Sequence, residues 1–322
     1  MKKTAVIVLF ALFVILSVMP VLAQQSSQSA PPLSIATDLL QQGGDDLNNQ
    51  QYDKAVLDLS LFIMLNPTYS PGYYTRAQSY IGLNDYAHAL EDVDQAIDTA
   101  GSIATADYSA ELYSLRGQID QQQKNVDDAL KDFTQSITIK PNEQALANRG
   151  VLYLSKQDFQ SALDDFNDAI QLDPSSPALY VYRGLIHTQM NDPKSSGADY
   201  LQFFSLIKSG SVQTGQIQSG QSVSLNVDQG VIYQLQFTAN AGQYISALAV
   251  ARTGNVDPLM VLIDNQGNPL YGDDDSGSNG GSLILNYPVT ANGSYSLLVS
   301  HSLGGYQGSV LVQLQVSDTP QQ

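Results

Sequence analysis

Three consecutive carboxylates, Asp273, Asp274 and Asp275, stand in the stretch LYGDDDSGSNGG, just before a glycine-rich turn. Neighbouring like charges repel, so such a run is tolerated either by open water or by a bound cation. Calcium takes about six to eight oxygen ligands and accepts irregular loops. The run therefore predicts a solvated turn and no cofactor, with a calcium site formed by Asp257, Asp273 and Asp275 as the alternative.

Residues that could carry out catalysis are sparse. The chain has no Cys, and its three histidines, His88, His187 and His301, are far apart in the sequence. The chain contains no G-x-S-x-G nucleophile motif, no H-E-x-x-H metal helix and no G-x-x-x-x-G-K-[ST] phosphate loop. We therefore predict that the protein is not an enzyme.

The charge and the N-terminus restrict the partners and the location. A formal net charge of −17 disfavours nucleic acid and anionic membranes, because both attract Lys and Arg. Residues 1–23 predict a cleavable signal peptide, in which Lys2 and Lys3 precede an apolar run and Ala23 ends a small-residue cleavage site. The alternative is an uncleaved anchor, since Thr4–Ala23 is nearly long enough to span a membrane. We predict an exported protein without a lipid anchor, located in the periplasm, at the cell surface or outside the cell.

The middle of the chain repeats a helical pattern. Small residues recur about every 34 residues, and a second small residue follows each of them at the next helix. The first column consists of Gly43, Ala77, Gly117, Gly150 and Gly184, and the second of Ala55, Ala89, Ala129, Ala162 and Ser196. Each unit is therefore expected to be a hairpin of two helices whose small residues allow close approach.

This pattern resembles the tetratricopeptide repeat, most clearly in the unit Glu143–Pro174. The resemblance covers about residues 34–209. It implies an α-solenoid of helical hairpins that binds proteins, with four clear units and a degenerate fifth unit that caps the array. The fifth departs most, since Pro193 stands at the start of its second helix.

Charged residues form two further columns. An arginine precedes the small residue of the first helix, and an aspartate precedes a large residue of the second. The columns are Arg76, Arg116, Arg149 and Arg183, and Asp58, Asp92, Asp132, Asp165 and Asp199. We predict that Arg and Asp pair between helices and fix the stacking register. The alternative is a groove in which the arginines bind a partner's carboxylates.

The first helices of a stacked solenoid line its concave face, so the partner groove is expected there. The predicted groove residues are Tyr74, Gln78, Ser114, Gln118, Val151, Leu154, Val181 and Leu185. This surface passes from amide-rich to apolar, which predicts a protein or peptide segment as the partner. The alternative is that the chain's own C-terminal domain covers the apolar end.

After residue 210 the hydrophobic period changes from helical to two. Apolar residues alternate over 223–227, 231–237 and 310–316, between turns rich in Gly and Asn. Short strands without intervening helices predict an antiparallel β-sandwich.

The order of landmarks over residues 212–317 is similar to the bacterial pre-peptidase C-terminal domain, an accessory module of secreted peptidases. The landmarks are Tyr233–Phe237, Ala241–Gln243, Asp257–Leu259, Gly267, Asp273–Asp274, Gly293–Tyr295 and Gly305–Tyr306. The resemblance implies a surface or substrate-contact module, and some domains of this type bind calcium.

The complete prediction is an α-solenoid followed by an all-β domain. Its segments are a signal peptide (1–23), a flexible spacer (24–33), the solenoid (34–209), the β-sandwich (212–317) and a tail (318–322). The predicted function is an exported, non-catalytic scaffold whose helical groove binds a protein. The alternative is a cell-surface adhesion protein in which the β-domain binds and the helices act as a spacer.

Overall fold

The computed structural model describes residues 33–208, 212–277, 280–303 and 307–321. The predicted signal peptide and all of the predicted spacer except its last residue lie outside these ranges. Within them the chain forms ten α-helices, one 3₁₀ turn and nine β-strands. No helix in these ranges has the length and apolar character needed to cross a membrane.

The helices come first and the strands follow. The helices are α1 (Leu33–Asn48), α2 (Tyr52–Leu65), α3 (Ser70–Gly82), α4 (Tyr86–Thr99), α5 (Ala106–Gln122), α6 (Val126–Ile139), α7 (Glu143–Ser155), α8 (Phe159–Leu172), α9 (Pro177–Gln189) and α10 (Pro193–Ile207), with the 3₁₀ turn at Gly101–Ile103. The strands are β1 (Gln213–Gln216), β2 (Ser222–Val227), β3 (Tyr233–Ala239), β4 (Tyr244–Gly254), β5 (Pro258–Ile263), β6 (Pro269–Asp273), β7 (Ser282–Pro288), β8 (Gly293–His301) and β9 (Gly308–Ser317). The predicted change from α-solenoid to β-structure is confirmed.

The chain divides into two compact units, with the boundary between Leu152 and Tyr153. We call residues 33–152 the N-terminal unit and residues 153–321 the C-terminal unit. The last helices therefore belong to the same compact unit as the strands. The domain boundaries predicted from the sequence stay predictions.

The predicted columns of small residues lie where paired helices approach most closely. A Cβ atom added to Gly43 would lie 2.5 Å from Leu59 Cγ, and one added to Gly117 would lie 3.0 Å from Phe133 Cδ1. Real Cβ contacts are almost never as short as the first and rarely as short as the second, so larger residues at these positions would force the facing side chains to move. In the second helices Ala55, Ala89, Ala129 and Ala162 are fully buried.

The turns between the two helices of each hairpin share one backbone conformation. Each turn passes through a residue in the left-handed region, with φ between 58° and 65°, at Gln50, Asn84, Lys124, Gln157 and Asn191. Several second helices then begin at a capping aspartate, whose carboxylate satisfies an otherwise free backbone N–H. Asp158 accepts the N–H of Ser161 at 3.3 Å, and Asp192 accepts that of Ser195 at 3.2 Å.

The arginine and aspartate columns form two-pronged ion pairs within hairpins. Arg76 donates from Nε and Nη2 to Asp92 at 2.8 and 2.7 Å. Arg116 binds Asp132 at 2.7 and 2.8 Å in the same way. In the C-terminal unit Arg183 binds Asp199 at 2.9 and 2.6 Å. The predicted pairing is confirmed for these three arginines, and their guanidinium groups are therefore not free to grip a partner.

One further hydrogen bond from each of the four arginines, not predicted from the sequence, links successive hairpins. The remaining terminal nitrogen, Nη1, donates to the second helix of the preceding hairpin. Its acceptors are Ser60 for Arg76 (3.0 Å), Asp94 for Arg116 (2.8 Å), Thr134 for Arg149 (3.1 Å) and Asn167 for Arg183 (2.9 Å). One side chain thus fixes both the pairing of helices within a hairpin and the stacking of one hairpin on the next.

The strands of the C-terminal unit form two sheets. A five-stranded sheet has the order β1-β3-β8-β5-β6, and a four-stranded sheet has the order β2-β9-β4-β7. Inward-facing residues of both sheets share one apolar core, which includes Phe237, Leu262 and Leu297 from the first and Ile245 and Val312 from the second. The predicted β-sandwich is present, although β1 pairs with β3 in parallel rather than antiparallel.

Helices α9 and α10 pack on the five-stranded sheet through a second apolar cluster. It joins Tyr180, Val181, Tyr200, Phe203 and Phe204 to Ile232, Leu259, Val261, Ile263 and Leu298. The backbones of α10 and β6 also approach each other closely, because a Cβ added to Gly272 would lie 2.5 Å from Gly197 Cα. Ser196 Oγ also donates to the Gly272 carbonyl at 2.7 Å. The degenerate fifth hairpin is therefore adapted to support a sheet.

We call the arginine–aspartate pairs and their bonds between hairpins the ladder. Removing one arginine from the ladder is expected to lower the stability of the fold strongly. Replacing Arg116 by Met leaves Asp132, whose side chain is 5% exposed, without its two-pronged partner. We expect the free energy of unfolding to fall by about 3 kcal/mol, because an uncompensated buried charge remains. Urea denaturation followed by far-UV circular dichroism measures the change.

The matched control is Lys140→Met, because Lys140 pairs with Asp107 and both side chains are more than half exposed. We expect this control to cost less than about 1 kcal/mol. Equal losses for the two variants would contradict a structural role of the ladder.

Candidate functional site

The predicted groove residue Tyr74 lies at the contact between α3 and α5. Its ring meets that of Tyr108 edge to face, with centroids 5.8 Å apart. The Tyr108 hydroxyl hydrogen-bonds Ser70 Oγ at 2.7 Å, and Ser70 Oγ in turn donates to the Ala96 carbonyl at 2.6 Å. Burial raises the pKa of Tyr74, and it raises the pKa of Tyr108 to about 12. These tyrosines therefore stay neutral. They form a fixed aromatic surface on the side formed by the first helices of the hairpins, which we call the first-helix face.

Amide groups lie on the same face of the N-terminal unit. Gln78 and Gln118 are half-buried, whereas Ser114 is only 6% exposed. Gln118 donates to Ser114 Oγ across a long 3.4 Å contact. Within the described ranges no residue hydrogen-bonds the side-chain amide of Gln78. This face thus offers hydrogen-bond donors and acceptors that have few partners within the chain, together with a fixed aromatic ring.

The apolar end of the predicted groove is covered in part by the chain itself. Val181 is 5% exposed and belongs to the cluster between the last hairpin and the five-stranded sheet. Leu154 is also 5% exposed, while Val151 and Leu185 are half-buried. Val181 is therefore a core residue, because the sheet occupies the position that an external partner was expected to fill.

Three carboxylates cluster near the loop for which calcium was considered. Carboxylate oxygens of Asp257, Asp274 and Asp275 all lie within 4.8 Å of one another, whereas the predicted set names Asp273 in place of Asp274. Asp257 immediately precedes β5, and the other two follow the end of β6. Asp274 is 4% exposed, and its Oδ1 accepts no hydrogen bond from any described residue.

Asp273 instead organises the loop. Its Oδ2 accepts the backbone N–H of Ser276 at 3.1 Å and that of Leu283 at 2.7 Å, which ties the loop to β7. Side chains alternate along a strand, so the last residue of β6 points away from its successor. The carboxylate of Asp273 therefore closes the turn, and that of Asp274 enters the cluster.

The electrostatics of the cluster are unfavourable for three free carboxylates. Burial raises the pKa of Asp274 well above its usual range, and Asp257 and Asp275 raise it further. Burial and then Asp275 raise the pKa of Asp257 to about 7. Within the described ranges no Lys, Arg or His forms an ion pair with these three carboxylates. The arrangement is stabilised either by protons or by a cation.

Two serines that the sequence analysis did not single out hold this cluster. Ser302 Oγ donates to Asp274 Oδ2 at 3.0 Å, and Ser302 N–H donates to the Asp257 carbonyl at 2.7 Å. Ser282 Oγ donates to the Pro258 carbonyl at 2.6 Å. The neighbouring His301, 5% exposed, accepts the N–H of Gly230 on Nε2 at 3.2 Å and is a packed residue rather than a surface ligand. The alternation of side chains along a strand at 273–274 could have indicated from the sequence that Asp274 enters the cluster. Nothing in the sequence indicated the role of the two serines.

Comparison with protein families identifies the helical repeats. The family description "tetratricopeptide repeat" applies to matches over residues 70–102, 110–143 and 144–176. The predicted tetratricopeptide repeats are therefore confirmed. A search of curated proteins finds no sequence that matches this chain.

Solved structures of similar shape cover about half of the chain. MamA (41-end) from Desulfovibrio magneticus RS-1 is 15% identical, with a TM-score of 0.48 over 53% of this chain and 94% of that one. PilF of Pseudomonas aeruginosa is 14% identical, with a TM-score of 0.48 over 55% and 78%. YrrB, described as a TPR protein with an unusual peptide-binding site, is 13% identical, with a TM-score of 0.44 over 53% and 86%.

The carboxylate cluster predicts an unusual pH dependence in the presence of a chelator. The pKa of Asp257 is raised to about 7 and that of Asp273 to about 6, so the folded chain holds protons that the unfolded chain releases above about pH 4. This contribution to stability is complete below about pH 4 and is lost as the pH rises through about 6 to 7. We expect urea denaturation to show that Asp257→Asn loses less stability than the wild type between about pH 5 and about pH 8. A wild-type slope that the substitution leaves unchanged would contradict this.

Proposed function

We propose that this protein is an exported, non-catalytic scaffold that binds an extended protein segment on the first-helix face of its N-terminal unit. The observation that carries the proposal is the pair of half-buried amides, Gln78 and Gln118, on the first helices α3 and α5, with the anchored ring of Tyr74 four residues before Gln78. Export rests on the sequence of residues 1–23 alone.

The chemistry of this face suits an extended backbone. A glutamine amide can donate two hydrogen bonds and accept two, so it can pair with the N–H and C=O groups of a peptide. The tyrosine ring offers apolar area for a side chain of that peptide. Arg76 and Arg116 already bind Asp92 and Asp132, so α3 and α5 have no free cation with which to bind a carboxylate of the partner.

Binding is best tested in the full chain. A fragment that ends after α10 would expose Phe203 and Phe204, which the five-stranded sheet buries. Such a fragment would therefore acquire an artificial apolar surface. Substitutions on the first-helix face leave this cluster intact.

We expect the double variant Gln78→Ala/Gln118→Ala to weaken the binding of a peptide selected on the wild-type protein from a displayed random library. Loss of two hydrogen bonds of about 1 kcal/mol each raises Kd by about 30-fold. Isothermal titration calorimetry measures Kd.

The matched control is Gln95→Ala/Gln135→Ala, which removes two exposed amides from the second helices α4 and α6. We expect the control to bind as the wild type does. If both double variants bind the peptide equally well, the first-helix face is not the binding surface.

We also propose that the C-terminal unit binds calcium through Asp257, Asp274 and Asp275, as a surface module similar to pre-peptidase C-terminal domains. The buried Oδ1 of Asp274, which lacks a hydrogen-bond donor among the described residues, supports this proposal. All the donors are oxygens, which suits a hard cation, and an irregular loop suits calcium better than magnesium.

Calcium is expected to stabilise the wild-type protein and not the variant Asp274→Asn. At a free concentration about 100 times Kd, binding adds about 2.7 kcal/mol to the free energy of unfolding. Differential scanning calorimetry with calcium and with chelator shows the effect as a shift in Tm.

The control is Asp228→Asn, which removes an exposed carboxylate outside the cluster. This variant should retain the full calcium response. A wild-type Tm that neither calcium nor chelator moves would contradict the calcium proposal and leave the peptide-binding proposal untouched.

A further inference from the structure

The first-helix face carries one charged side chain on α3 and α5, among neutral ones. The positions that form this face lie six and three residues before, and one and four residues after, the small residue of each helix. They hold Pro71, Tyr74, Gln78 and Ile81 in α3, and Glu111, Ser114, Gln118 and Gln121 in α5. Residues spaced by three or four lie on one side of a helix, so Glu111 shares its side with Ser114 and Gln118. A partner on this face therefore meets amides, an aromatic ring and a single carboxylate.

The charge of Glu111 is not balanced within the described part of the chain. No Lys, Arg or His in these ranges forms an ion pair with its carboxylate. Partial burial of the carboxylate, and then Asp107, raise the pKa of Glu111, and Lys140 offsets this only in part. Lys140 itself binds Asp107, which lies one turn earlier in α5. Two carboxylates therefore share one cation, and a second cation is favoured beside Glu111.

An aromatic ring lies close to this carboxylate. Burial and then Glu111 raise the pKa of Tyr74, so Glu111 is the charged group that acts most strongly on this ring. Tyr108, one turn before Glu111 in α5, holds the ring of Tyr74 edge to face with centroids 5.8 Å apart. A carboxylate attracts a cation by its charge, and the face of a tyrosine ring attracts it by its quadrupole. The two groups together are therefore suited to bind an ammonium or guanidinium group.

We propose that Tyr74, Tyr108 and Glu111 bind a lysine or arginine side chain of the extended protein segment that occupies the first-helix face. This inference rests on the proposed function and adds a requirement on the sequence of the partner. The amides of Gln78 and Gln118 can pair with the backbone of any extended segment. The carboxylate of Glu111 instead selects segments that carry a positive charge at one position.

The charge of the chain favours the same partner. A net charge of −17 attracts a basic segment and repels an acidic one before contact is made. At the contact itself, Arg76 and Arg116 are neutralised by Asp92 and Asp132, so neither repels an incoming lysine or arginine. Attraction at a distance and the local carboxylate of Glu111 therefore act in the same direction.

A double-mutant cycle between the protein and its peptide tests the proposal. The probes are the peptides selected on the full-length wild type from a displayed random library, in which we expect Lys or Arg at one fixed position. Each is compared with an analogue in which norleucine replaces that Lys, or citrulline that Arg. We expect the neutral analogue to raise Kd about 10-fold on the wild type but only about 2-fold on Glu111→Gln, because the charge pair is already absent there. Isothermal titration calorimetry measures the four values of Kd.

The matched control is Glu91→Gln, which removes an exposed carboxylate from the second helix α4 and should behave as the wild type does with both peptides. Selected peptides without a basic residue, or an equal effect of the neutral analogue on the wild type and on Glu111→Gln, overturn this inference. Binding that still depends on Gln78 and Gln118 then leaves the proposed binding face intact. A wild type that selects no peptide overturns the proposed function and this inference with it.

Discussion

The two-pronged pairing of arginine with a buried aspartate is the interaction on which the helical region depends. A carboxylate such as that of Asp132, whose side chain is 5% exposed, is unfavourable in an apolar interface unless a guanidinium meets it. The guanidinium of Arg116 satisfies this requirement with two nitrogens and contacts the preceding hairpin with the third. Because the guanidinium is planar and rigid, its three bonds hold the helices at one separation and one register.

The aromatic residues complete this arrangement. Tyr113 lies three residues before Arg116, and its ring centroid is 5.3 Å from the guanidinium carbon. Tyr180 stands in the same relation to Arg183 at 5.6 Å. The flat cation is thus held against a ring as well as by its acceptors, which restricts its rotation. Charge, ring and small residue recur together, and this recurrence explains why the repeat was visible in the sequence.

Most of the fold could be predicted because its determinants are local and periodic. Each of these determinants acts on neighbours at a fixed sequence distance. Examples are the small residues Gly43 and Gly117, the capping residue Asp158 and the alternating apolar residues of the strands. The same reasoning could not predict the packing of the sheet on Val181, since that contact joins residues far apart in the chain. It also could not predict the parallel pairing of β1 with β3, for which no local pattern exists.

The residues of the carboxylate cluster depend on a finer detail of the strand. Choosing between Asp273 and Asp274 depends on the residue at which β6 ends, and an error of one position reverses the side chain that enters the cluster. The positions of Gln78 and Gln118 on α3 and α5 follow from helical spacing alone, and their role in binding stays a prediction.

The contact between Gly197 and Gly272 limits how this molecule can change in evolution. Repeat arrays lengthen and shorten by duplication or loss of whole hairpins. The final hairpin cannot be exchanged for any other copy, because Ser196 and Gly197 fit the backbone of β6 and a Cβ at Gly197 would lie 3.1 Å from the carbonyl carbon of Tyr271. Gains and losses of repeats are therefore confined to the hairpins ahead of α9, and the last hairpin is inherited together with the β-sandwich.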